Sequence, residues 1–99
     1  MIEVTTPMHN PPHPGGFLQR MFMSPLNLSV RSLAMSLGVS PTTVSRIVAG
    51  QARVTPELAI RLEKALGRSA ESWLRMQDAY DLANARQRLD IANVEVIYA

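Results

Sequence analysis

SVRSLAMSLGVSPTTVSRIVAG, residues 29–50, reads as two short helices around a glycine turn. Ser29 is a natural N-cap for VRSLAMSL, with Leu33 and Leu37 facing inward and Gly38 as a left-handed C-cap. Ser40 caps the next helix, and Pro41 takes its first position, where a missing N–H costs nothing. Val44, Ile47 and Val48 form the buried stripe of that helix, and Gly50 stops it. Ala34 is small where the two helices would cross. A helix pair joined by a short turn containing glycine is the helix-turn-helix pattern, whose second helix enters the major groove of DNA with its N-terminal side chains leading.

The outer face of that second helix supports the same reading. Thr42, Thr43 and Ser45 are short, exchange hydrogen bonds and, for the threonines, offer a methyl to thymine. Arg46 can reach guanine O6 and N7 or a phosphate. The free N–H groups near Ser40 attract a phosphate. Exposed helix faces ordinarily carry Lys, Glu and Gln, and none of these stands between Ser40 and Ala49. Flanking phosphate contacts are expected from Arg31, Gln51 and Arg53, each of which also fits an ordinary surface position.

The chain has 99 residues, 46% of them hydrophobic, enough for one small core. With no cysteine, disulfides, thiolate metal sites and thiol nucleophiles are excluded. No apolar run approaches the roughly 20 residues that cross a membrane, and the N-terminus lacks a signal-peptide pattern. A cytoplasmic protein is expected. The net charge is +2. Residues 4–56 contain four arginines (20, 31, 46 and 53) and no acid, whereas residues 57–99 are balanced. That asymmetry suits a polyanionic partner for the first half.

Outside the central pair the same grammar repeats. Residues 1–13, with three prolines, read as a flexible arm. Its His9 and His13 are separated by Pro11 and Pro12, so they lack helical spacing and no metal site is expected. A first helix starts at Pro14 or Gly15, carries Phe17, Leu18, Met21 and Phe22 on one face, and ends before Pro25. Thr55 and Pro56 open a fourth helix, in which Leu58, Ile60, Leu62 and Leu66 supply apolar surface before Gly67. Ser69 caps a long helix over about residues 70–90, with Glu71 near its positive end.

Alternation of Val94, Val96 and Tyr98 predicts a short strand, whose backbone groups would need a partner. The expectation is therefore all-α: a five-helix helix-turn-helix domain over 14–90 with a short C-terminal strand in 91–99. On the long helix, the stripe of Leu82, Ala83, Arg86 and Leu89 has no covering helix in its own chain. It is expected to pack, with Val94, Val96 and Tyr98, against a twofold mate. Such a dimer would present two recognition helices about 34 Å apart, one turn of DNA. An enzyme is not expected. The histidines lie in the arm, and Glu57, Glu63, Asp78 and Asp81 read as helix-surface charges.

Three stretches, HPGGFL, LGVSPTTVSRIVAG and TPELAIRLEKALGRSAESWLRMQDAYDLA, resemble the HigA-type antitoxins, a branch of the XRE (Cro/repressor-like) helix-turn-helix family. The likeness runs from about His13 to Tyr98, and the HPG start combined with the SxxxWLRMQxxYDL helix sets it apart from general phage repressors. It implies a repressor-like fold without cofactor. It also implies a dimeric autorepressor that binds a palindromic operator and neutralises a small ribonuclease toxin. Its groove-facing positions would be Thr42, Thr43, Ser45 and Arg46. Many XRE proteins begin the second helix with a phosphate-contacting glutamine; Val30 stands there in this chain, and the role passes to Arg31. A stand-alone regulator and an interaction module without DNA are the alternative readings.

Overall fold

A computed structural model describes residues 10–98. The helices are α1 (Pro14–Leu18), continued by a π-helical turn over Gln19–Met23, then α2 (Val30–Leu37), α3 (Pro41–Val48), α4 (Pro56–Leu66) and α5 (Ala70–Arg88). The π character is local: the Ser24 N–H donates to the Gln19 carbonyl five residues back, at 2.9 Å. Pro25 brings no N–H to extend the ladder, and the chain leaves the helix through a turn.

The caps form where the sequence puts them. Ser29 and Ser32 make a reciprocal capping box at the start of α2. Gly38 closes α2 at φ 73°, a conformation that costs glycine little. Ser40 and Thr55 each accept an N–H three residues on, ahead of Pro41 and Pro56. Ser69 opens α5, and Glu63 of α4 accepts the Ala70 N–H at 3.1 Å, so two side chains satisfy that helix start.

The core lies where α1, α2, α3 and α4 meet the first half of α5. Leu18, Leu33, Ala34, Leu37, Val44, Ile47, Leu62 and Trp73 are all buried. Trp73 is 0% exposed, with the rings of Phe17 and Phe22 at 5.7 and 5.9 Å. The Arg68 guanidinium lies over the Phe17 ring, 4.7 Å from its centre. Met23 is buried and Met21 exposed. Ile60, expected to add apolar surface on α4, faces solvent between the buried Ala59 and Leu62.

The C-terminal strand does not form. Residues 89–98 have no strand and are exposed throughout. One turn interrupts them, with the Ala92 N–H donating to Asp90 and the Val94 N–H to the Ile91 carbonyl. The alternation of Val94, Val96 and Tyr98 describes the two faces of a strand, but a strand exists only when another strand meets its backbone. None is present among the described residues. The outcome leaves Leu89, Ile91, Val94, Val96, Ile97 and Tyr98 more than half exposed.

Candidate nucleic-acid interface

Helix α3 is two-sided. Val44 and Ile47 are buried, while Thr42, Ser45 and Arg46 are exposed on the opposite face. Thr43 is half-buried, and its hydroxyl lies 3.0 Å from the Ser40 hydroxyl that also accepts the Thr43 N–H. Both hydroxyls are thus engaged in the cap, and the fully presented side chains of the face are Thr42, Ser45 and Arg46. At the far end, the Gln51 N–H donates to the Arg46 carbonyl at 2.8 Å, folding the chain back beneath the helix. Arg31 and Gln51 are exposed on either side.

The ends of α3 are fastened by contacts across the fold. At its start, Arg61 of α4 donates from Nη1 to the Leu37 carbonyl at 2.8 Å and pairs with Glu57 at 3.3 Å. Two carbonyls at the end of α2 are therefore tied to α4. At the other end, α1 lies directly against the last turn of α3. A Cβ on Gly15 would penetrate the Ile47 carbonyl group, 2.6 Å from its carbon and 3.0 Å from Val48 Cα.

His13, just before α1, accepts the Gly15 N–H on Nδ1 at 2.9 Å and sets its ring edge-on to Tyr80 of α5 at 4.9 Å. The HPGG stretch is a clamp between α1, the end of α3 and α5. Residues 1–9 of the expected arm, His9 among them, lie outside the described residues.

Burial lowers the His13 pKa from its ordinary value of about 6.5; a hydrogen bond to the Ala52 backbone and the charge of Asp81 oppose the shift. With the folded pKa below the unfolded one, the unfolded chain binds more protons between the two values, so stability rises with pH there. The contribution should be complete above about pH 6.5 and fade as pH falls through the folded pKa. Parallel denaturation of the protein and of His13→Asn checks this. The difference between them should change below about pH 6.5, and a constant difference across pH would exclude His13 as the source.

The segment after α3 is held by a residue that gave little signal in the sequence. Gln77 is 1% exposed on α5; its Oε1 accepts the Val54 N–H at 2.7 Å, and its Nε2 donates to Asp81 Oδ1 at 3.0 Å. Asp81 Oδ2 in turn accepts from Arg53 Nε at 2.9 Å and Nη2 at 2.7 Å. Arg53, expected to be free for phosphate, is thus ion-paired to α5. Asp81, expected to be a plain surface charge, is its partner. One clue was available: 73, 77 and 81 share a helical stripe, and a glutamine one turn from a buried tryptophan needs a polar partner.

Among the described residues no three His, Cys, Asp or Glu side chains group to hold a metal, and no helix is long and apolar enough to cross a membrane.

The family model described as Helix-turn-helix matches residues 19–73. Antitoxin HigA-1 of Vibrio cholerae is 38% identical over 74 residues, covering 75% of this chain and 70% of the relative. Among solved structures, the Pseudomonas aeruginosa antitoxin HigA with the higBA promoter superposes with a TM-score of 0.81 at 31% identity, covering 91% of this chain and all of the other. The chain belongs to the HigA-type branch of the XRE helix-turn-helix family. A second neighbour, antitoxin GraA in complex with its operator, gives a TM-score of 0.85 at 33% identity over 98% of this chain and 100% of the other. HigA-type proteins are helix-turn-helix antitoxins and regulators, not enzymes.

Proposed function

We propose that the chain is a DNA-binding antitoxin that represses its own operon and neutralises a small ribonuclease toxin. The observation that carries the DNA reading is the division of α3, with Val44 and Ile47 anchored in the core and Thr42, Ser45 and Arg46 presented together. A major groove about 12 Å wide admits a helix with a slim leading face, and these side chains leave it slim. Two neighbours of the same fold are described with operator or promoter DNA, which supports the same mode here.

Thr42, Ser45 and Arg46 contact base edges, with Thr43 alongside them through its methyl group. Arg31, Ser40, Gln51 and Arg53 meet phosphates on either side. The stretch from Leu82 to Tyr98 supports a homodimer. It leaves Leu82, Leu89, Val94, Val96 and Tyr98 exposed beside Arg86, an apolar run with no cover among the described residues. Two copies joined there would read a palindromic operator. The toxin reading rests on membership of the HigA branch.

A titration of the chain's own promoter tests the proposal. Wild-type protein should bind it well above random duplex. Arg46→Ala should lose about 1–3 kcal/mol on the operator, the range for an arginine reading guanine, and much less on random DNA. Equal losses on both would make Arg46 a phosphate contact, and no wild-type binding at low salt would rule out the DNA reading.

A further inference from the structure

Arg53 stands on a ridge between two surface hollows. One it shares with Thr43 and Arg46 on the recognition helix; the other it shares with Asp81, Leu82 and Arg88 on α5. The Asp81 carboxylate that holds it is itself fixed. Oδ1 is bound by Gln77, and Gln77 also holds the backbone of Val54, the residue next to Arg53. Two neighbouring residues of the loop after α3, one by its main chain and one by its side chain, are therefore set by a single pair on α5.

We propose that Asp81 is a positioning residue for DNA, which orients the Arg53 guanidinium beside the recognition helix for a backbone phosphate. Arginine carries five N–H donors. Asp81 engages Nε and Nη2, Asp78 Oδ1 lies 4.0 Å from Nη2, and Nη1 has no acceptor among the described residues. The Arg53 side chain remains 62% exposed, so the carboxylate aims it without covering it. A free arginine would lose much of its rotamer freedom on meeting a phosphate, and one already aligned loses less. The pair is also exposed enough to be weak by itself, so its main effect is direction rather than stability. The opposite expectation is that a carboxylate this near the DNA face repels phosphate and masks Arg53; the sign of one substitution separates the two.

The inference rests on the DNA-binding reading above, and the experiment separates the two. Wild type, Arg53→Ala, Asp81→Asn and the double variant are titrated against the operator duplex at several salt concentrations. Asp81→Asn keeps an oxygen for Gln77, so the α5 anchor is retained; a thermal melt checks this. It withdraws the charge that engages Arg53 Nε and Nη2, leaving only the longer 4.0 Å contact to Asp78. Each single variant should bind about fivefold more weakly, with a salt slope lower by about one, as for a lost phosphate contact. The double variant should bind no more weakly than Arg53→Ala, because Asp81 acts through Arg53. Asp81→Asn binding as well as wild type or better, or losses that multiply in the double variant, overturns the role of Asp81. Failure of the wild type to bind overturns the DNA reading itself.

Discussion

Alanine at position 15 is expected to be among the most damaging single substitutions in the chain. The added methyl would enter the Ile47 carbonyl group, with Val48 Cα 3.0 Å away. These are backbone atoms, so no rotamer change relieves the overlap, and α1 must move off α3. Overpacking of this kind costs about 3 kcal/mol or more, equivalent to a fall in Tm of very roughly 15 °C for a domain of this size. Gly16→Ala is the control, because a Cβ there meets only the end of the Arg20 side chain at 3.1 Å. It should melt close to wild type or slightly higher, since alanine is the better helix former by about 1 kcal/mol. Equal melting temperatures for the two variants would dismiss the clamp between α1 and α3.

Trp73→Ala is the second large effect. The indole is wholly buried between Phe17 and Phe22, and its removal should cost about 3–5 kcal/mol. Small domains have only about 5–15 kcal/mol in total, so this variant should stand near the edge of folding in urea titrations. Trp73→Phe should be milder than its loss of volume suggests. The indole Nε1 has no hydrogen-bond partner among the described residues, and phenylalanine removes a buried unpaired donor that costs about 1–3 kcal/mol. If Trp73→Phe is as damaging as Trp73→Ala, the orphan donor is not a liability.

What could be read from the chain was what is local in it. Ser29, Gly38, Ser40 with Pro41, Thr55 with Pro56, and Ser69 act on backbone groups within a few residues, so their spacing alone announces the helix ends. The inward faces of α2 and α3 follow from periodicity for the same reason. The contact of Gly15 with Ile47, the bond from Gln77 to Val54 and the grip of Arg61 on Leu37 join distant parts of the chain. Their existence depends on how the helices cross, which no short window encodes. Thr43 carries a second use that periodicity does not announce: a threonine three residues after a serine cap can serve the cap as well as the outer face, and here its hydroxyl lies 3.0 Å from that of Ser40. The tail was misjudged in kind, because alternating apolar residues specify a strand's faces but not its partner.

The recognition helix is fastened at both ends. Arg61 ties the turn that precedes it, while Gly15 and the Gln77 bond to Val54 fix its last turn and the loop beyond. Its shape is therefore settled when the chain folds, not when it meets a partner. On the DNA reading proposed above, discrimination between sequences then falls to the fit of a preset helix in a groove rather than to its rearrangement there.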